Sequence, residues 1–372
     1  MILHEITSFL ESIAPLSLQE DYDNSGLIVG DTKKVINSVL ICLDVTEDVV
    51  DEAIKNKHDL IISHHPIIFK GLKKIEGKNY VERIIISAIK NDIAIYAIHT
   101  NFDNILSGVN KTISEKLNLK NIKLLKPKAQ QHKKLIVYCP DIKLSNGNYV
   151  PGIIRNALFK AGAGFIGNYD SCSFNTDGLG TYRGLEGTKP LLGEQGKRSV
   201  QKEVKIETIF PSHLQEKIIS EMLSVHPYEE VAYDIYPLDN KHDNTGSGLI
   251  GELNNEMDEN EFFLYLKDVM KTKVIRHSKL LNKKVKRIAI NSGTGSFLLK
   301  NAIKGNADVF ISSDFKYHEF FDADEKLVIA DIGHYESEQF TIDLLYELLT
   351  KKFPTFAFLK TNVLTNPIYY LW

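Results

Sequence analysis

The sequence predicts a layered α/β core built from both ends of the chain, with a smaller α+β unit inserted between them. Three observations predict it. Residues 38–103 alternate short β-branched apolar runs with amphipathic segments, the order of βαβ crossovers in a parallel sheet. The same order returns from residue 285 to 349. Between 129 and 242, apolar residues instead alternate within the strands, which implies a sheet with one solvated face. The expected units are 1–128 and 243–372 as the two halves of the core, and 129–242 as the insert.

The chain opens with apolar residues at helical spacing over 3–14, ended by Pro15. Asp21 to Gly26 is rich in turn formers and leads into Leu27-Ile28-Val29. Ser38–Leu43 reads as a strand ending at Asp44, and Thr46 as the N-cap of a helix reaching Lys55, with Glu47 and Asp48 in its first turn. Asp59-Leu60-Ile61-Ile62 is a short buried strand stopped by Ser63-His64-His65-Pro66. A helix over 80–90 leads to the apolar run Ile93–Ile98, which stops at His99-Thr100-Asn101-Phe102-Asp103. The insert reads as strand (Leu135–Tyr138), helix (151–161), Gly-rich β region (164–185), strand (Val204–Phe210), helix (212–225) and strand (Val231–Tyr236). Polar seams at Lys126-Pro127-Lys128 and Asp239-Asn240-Lys241 bound it. After it, Val285–Asn291 runs into Ser292-Gly293-Thr294-Gly295-Ser296, Ala307–Ile311 into Ser312-Ser313-Asp314, and Leu327–Ala330 into Asp331-Ile332-Gly333-His334. A helix opens at Gly333 and is expected to continue through Leu349.

Composition narrows the function classes. With 372 residues, 43% hydrophobic and 25% charged, the chain has the balance of a globular protein of two or three domains. A net charge of -3 gives no pull toward nucleic acid or an anionic membrane. Cys42, Cys139 and Cys172 are too scattered for a zinc-type cluster or a disulfide framework, which suits a reducing compartment. Glu5, Glu11 and Glu20 lie in an amphipathic pattern unlike a basic signal start, and no apolar run could span a bilayer, so a cytoplasmic protein is expected.

The chemistry gathers at strand ends. Asp44, His64-His65 and His99/Asp103 each follow the carboxyl end of a strand, the edge where open α/β sheets bind ligands. His334 and Glu338 are four apart and share a helical face. Adjacent imidazoles suit metal ligation, although two ligands alone do not make a site, and a His/Glu pair is also common on helix surfaces. Together His64, His65, Asp103, His334 and Glu338, with His99 in reserve, give nitrogen and oxygen ligation without thiolate. That set suits zinc, iron(II) or manganese and not calcium. Two divalent ions per chain would need about this many ligands if one carboxylate bridges, and Glu338 is the expected bridge. Ser292-Gly293-Thr294-Gly295-Ser296 reads as a tight turn or as a backbone cradle for phosphate.

Five segments together resemble the GTP cyclohydrolase 1 type 2 homologue family, the Nif-three-like proteins. They are Asp23-Asn24-Ser25-Gly26-Leu27, Ser63-His64-His65-Pro66-Ile67-Ile68-Phe69, His99-Thr100-Asn101-Phe102-Asp103, Ser313-Asp314-Phe315-Lys316-Tyr317-His318 and Gly333-His334-Tyr335-Glu336-Ser337-Glu338. The resemblance implies a dinuclear metal centre at His64, His65, Asp103, His334 and Glu338. It implies that His99, Asp314 and His318 line the cavity, where they are carried as catalytic candidates. It also implies a toroidal homohexamer of trimers. His226-Pro227-Tyr228-Glu229-Glu230-Val231-Ala232-Tyr233-Asp234 resembles the motif of the insert in longer bacterial members, a ferredoxin-like domain similar to PII and CutA signalling domains. Val231 stands where proline is expected, and His226 reads as a turn residue.

Two functions of different class follow. One is a metal-dependent hydrolase acting on a small molecule, with ring opening of GTP as the activity that the family name implies. The other is a non-catalytic metal-trafficking or regulatory assembly whose insert senses a small ligand.

Overall fold

The computed structural model describes residues 1–129 and 131–371. The chain divides into two compact units, one formed by Met1–Pro127 with Asp243–Trp372 and the other by Lys128–His242.

The first unit holds two sheets. One has five strands in the order Gly26–Val29, Ala94–Ala97, Leu60–Ser63, Ser38–Cys42, Ala357–Lys360. The last four run parallel and the first is antiparallel. The connecting helices start where the capping residues put them. Thr46 Oγ1 accepts the Val49 N–H at 3.3 Å to open Glu47–Asn56, and Asn79 Oδ1 accepts that of Glu82 at 3.0 Å to open Tyr80–Lys90. Val49, Val50, Ile84 and Ile85 cover one face of this sheet, while Leu3, Ile6, Leu10, Leu345 and Leu349 cover the other. Burial on both faces explains why its strands read as unbroken apolar runs.

The second sheet has six strands in the order Arg276–His277, Val328–Asp331, Val309–Ser313, Lys284–Thr294, Lys241–Asp258, Lys120–Ala129. Its central three are parallel. Ile113, Leu117, Phe262 and Leu266 pack on one face, and Leu298, Ala302, Phe315 and Leu327 on the other. Each chain end therefore builds its own sheet, and the two ends exchange an edge strand. Ala357–Lys360 pairs with Ser38–Cys42, and Lys120–Ala129 crosses to the second sheet. The expected seam at Lys126-Pro127-Lys128 lies inside that crossing strand.

The helix expected from Gly333 through Leu349 is broken. His334–Glu338 forms one short helix and Thr341–Lys352 another. The break serves two cores at once. Phe340 packs into the core of the second sheet, whereas Leu345 and Leu349 pack into that of the first, so the axis must turn between them.

The second unit is a four-stranded antiparallel sheet in the order Phe174–Arg183, Arg198–Pro211, His132–Pro140, Tyr233–Leu238. Helices Val150–Ala161 and Gln215–Val225 lay Ile154, Leu158, Ile218 and Met222 onto Leu135, Val137, Ile206 and Phe210. The βαββαβ order and this strand order are ferredoxin-like. Its opposite face mixes charge with exposed aromatic side chains: Glu207 sits between Lys134 and Lys205 at 2.5 Å from each, beside Phe174 and Tyr236. No helix among the described residues is long and apolar enough to cross a membrane.

Candidate metal centre

In the first unit, polar groups from the carboxyl edges of both sheets meet. His64 and His65 follow Leu60–Ser63, and their backbone N–H groups bond to the carbonyls of Cys42 (3.3 Å) and Leu43 (3.0 Å) on the neighbouring strand segment. His99 ends the Ala94–Ala97 segment and precedes a one-turn helix, Thr100–Asp103. His334 and Glu338 come from the short helix after Val328–Asp331.

Five predicted ligands converge as two groups that share one residue. His65, His334 and Glu338 form the first, and His64, Asp103 and Glu338 the second; within each group the donor atoms lie within 4.8 Å of one another. Glu338 is 2% exposed and its carboxylate is divided between them. Oε2 lies 2.9 Å from His65 Nε2 and 3.1 Å from His334 Nε2, while Oε1 lies 3.8 Å from His64 Nε2. His64 Nε2 is 3.7 Å from Asp103 Oδ1. His99 makes a third group with His64 and His65.

The outer ring nitrogens are all engaged. His64 Nδ1 bonds to the Ile98 carbonyl at 2.8 Å and His65 Nδ1 to Asp44 at 2.7 Å. His99 Nδ1 bonds to Asp23 at 2.8 Å and His334 Nδ1 to Asp314 at 2.6 Å. Each outer N–H is donated to oxygen, so each neutral imidazole turns a bare Nε2 lone pair inward, the carboxylate–histidine arrangement of metal sites. Inside, lone pairs face lone pairs: His65 and His334 Nε2 are 3.3 Å apart, and both face a carboxylate oxygen. His64 Nε2 and Glu338 Oε2 are buried with no hydrogen-bond partner among the described residues. Only a cation or added protons can satisfy such a cluster. The donor set therefore fits a divalent metal.

The electrostatics agree. Burial opposes charge on His65, but the nearby Glu338 charge and the bond to Asp44 prevail and lift it to about 10. Burial likewise opposes His334, which Glu338 and Asp314 lift to about 11. Burial alone would raise Glu338, yet the charges of His334 and His65 hold it well below the usual carboxylate range. Asp103 is pushed up, mainly by burial. Gly293 adjoins the cluster with φ +60°, and a side chain there would overlap Glu338 Oε1.

The remaining candidates separate. Asp314 accepts from Thr294 Oγ1 at 2.7 Å as well as from His334, so it orients a ligand. His318 is exposed, meets the Tyr317 ring edge-on with centroids 5.1 Å apart, and is not among the residues lining the cavity over the cluster. In the Ser292 loop the N–H of Ser292 is taken by Asn110 Oδ1 (2.7 Å) and that of Gly293 by Ser337 Oγ (2.9 Å), which favours the tight-turn reading over the phosphate cradle. Asp23 and Asp44 support histidines without belonging to any of the three groups. Asp44 is itself held by Thr365 Oγ1 at 2.9 Å. In sequence Asp44 stands just past the carboxyl end of a strand, and Asp23 lies in the turn before Gly26–Val29. Asp44→Ala and Asp314→Ala should each weaken metal affinity by about 10–100-fold, read by competition with a chelating dye. Unchanged affinity in both would remove their orienting role.

The cluster opens into a cavity of about 430 Å³ with Tyr22, Phe69, Phe297, Tyr335 and Ile368 in its walls. Its lining includes Glu20, Asp44, Asp103 and Glu338 and, among the described residues, no lysine or arginine.

The model of the family Duf34/NIF3 (NGG1p interacting factor 3) matches residues 1–367. The chain is similar to a Bacillus subtilis (strain 168) protein named GTP cyclohydrolase 1 type 2 homolog, at 38% identity over 373 residues covering 99% of this chain and 98% of the relative. A Staphylococcus epidermidis protein of the same name is 32% identical over all of both chains. Among solved structures, a Bacillus cereus protein related to NIF3 superposes with a TM-score of 0.83 at 39% identity, covering 100% of this chain and 99% of that one.

Proposed function

The chain belongs to the Duf34/NIF3 family, and from that premise we propose that it is a dinuclear metalloprotein of the cytoplasm acting as a metal-dependent hydrolase on a small heterocyclic substrate. The name of its relatives makes the guanine ring of GTP the first substrate to test. The observation that carries this reading is the divided Glu338 carboxylate, with one oxygen toward each of two ligand groups. His64, His65, Asp103, His334 and Glu338 would hold the ions. Nitrogen and oxygen donors without thiolate suit zinc first, with iron(II) and manganese also compatible. A bound metal pair supplies Lewis acidity and lowers the pKa of water.

The chain's own residues do the rest. Asp23, Asp44 and Asp314 fix the imidazoles. His99, tied to Asp23 through Nδ1, presents Nε2 as a proton acceptor beside the ligands. Phe69, whose ring meets His99 edge-on at 5.8 Å, and Phe297 give a planar heterocycle apolar walls. With carboxylates and, among the described residues, no lysine or arginine in the lining, GTP would enter base first and leave its triphosphate outside.

Protein loaded separately with zinc, iron(II) and manganese should open the ring of GTP, and His65→Ala should abolish turnover. No turnover with any of the three rejects GTP as substrate. The family resemblance supports six chains in a ring, which light scattering on the same sample would read; monomers would reject the ring. The ferredoxin-like insert, similar in order to PII and CutA domains, is assigned a regulatory role.

A further inference from the structure

We propose that the inserted unit binds a small organic cation, an amine or ammonium group on an apolar body, in a cavity walled in part by Tyr228, Glu229, Glu230 and Ala232. The proposal is independent of the metal centre. The cavity is about 380 Å³ and includes Tyr138, Tyr182, Tyr228 and Glu203 in its lining. The Tyr182 and Tyr228 rings stand 6.4 Å apart at 59°, too inclined to sandwich a flat ring. Both rings line the cavity, and aromatic rings of tyrosine attract a cation that reaches their faces.

Charge points the same way. Glu203, Glu229 and Glu230 line the cavity against Arg183, three carboxylates to one guanidinium. The mouth carries Leu185 and Leu191, 64% and 45% exposed, apolar surface for the body of a ligand.

The walls are held in place. Tyr228 donates its hydroxyl to Glu203 Oε1 at 2.9 Å. Glu203 lies flat across the sheet only because residue 180 is glycine; a Cβ there would overlap its carboxylate. His226 Nε2 donates to the Tyr138 carbonyl at 3.1 Å, and its Nδ1 accepts the Tyr228 N–H at 3.2 Å. The buried histidine thus joins two of the aromatic walls, and burial lowers its pKa, favouring the neutral form that both bonds need. Tyr182 donates to the Leu192 carbonyl at 2.6 Å, and Glu229 accepts the Lys189 N–H at 2.9 Å, pinning the loop over the site. The His-Pro-Tyr-Glu-Glu segment is thereby accounted for: it supplies one wall, the part that orients it, and two of the charges.

The test is calorimetric titration of the full-length protein with benzyltrimethylammonium, and with benzyl alcohol as an uncharged control. One cation per chain should bind saturably, with the alcohol at least tenfold weaker. Glu203→Gln should weaken the cation at least tenfold. Glu230→Gln, at an exposed side chain that leaves folding intact, should weaken it severalfold, and metal content should stay unchanged in both. Absent saturation, equal binding of cation and alcohol, or unchanged cation binding in Glu230→Gln together with a folded Glu203→Gln would overturn the proposal.

Discussion

Replacing Glu338 by glutamine should lower bound metal from two ions per chain to fewer than one, with the far-ultraviolet circular dichroism unchanged. The carboxylate is almost fully buried and its oxygens address different ligand groups. Glutamine keeps the shape but removes the charge and turns one ligating oxygen into an N–H₂ group. Both groups then lose an anionic donor in a site shielded from water, where charge matters most. Glu336→Gln is the matched control. Glu336 sits on the same short helix, but its Oε1 accepts from Asn366 Nδ2 at 3.1 Å and it belongs to neither ligand group. Metal analysis by mass spectrometry after desalting should therefore separate the two variants. A Glu338→Gln protein that retains two ions would remove the bridge.

Chelation should destabilise the first unit, and more so at pH 8 than at pH 6. A ligand that binds only the folded state, present at a thousand times its dissociation constant, stabilises by about 4 kcal/mol. At roughly 2–4 °C per kcal/mol for a unit of this size, the melting temperature should fall by about 8–16 °C with EDTA. The pH dependence follows from the imidazoles. His65 and His334 are raised to about 10 and about 11, so without metal they hold protons at neutral pH. Metal must displace those protons, and its binding weakens as pH falls. Its stabilising effect is thus the larger at the higher pH. Thermal scans with and without EDTA at both pH values read this directly. An equal melting temperature with and without chelator, or a larger loss at pH 6, would contradict it.

What the sequence reveals depends on whether the cause is local. The strands ending at Asp44, His64 and Asp314 are legible because burial on both faces leaves unbroken β-branched runs. Thr46 declares its helix through its own side chain. His334 and Glu338 are legible as a pair because four residues are one helical turn. The break after Glu338 is not, since it follows from Phe340 and Leu345 belonging to different cores. Strand Ala357–Lys360 is hard to read because Phe358 is its one buried residue, and its partner lies at the opposite end of the chain. Asp23 resembles any turn acid until the fold brings His99 to it, and Asp44 is legible as a strand-end acid but not as the partner of His65. The Ser292 loop is ambiguous in sequence for the converse reason: Asn110 and Ser337, distant in sequence, take the N–H groups of Ser292 and Gly293.

The central claim is that one buried carboxylate joins two ligand groups around a pair of ions. Anomalous diffraction at the zinc edge, from crystals grown with zinc, tests it most directly. Two peaks about 3.5–4 Å apart are expected, one among His65, His334 and Glu338 and the other among His64, Asp103 and Glu338. A single peak, or peaks away from Glu338, would contradict it.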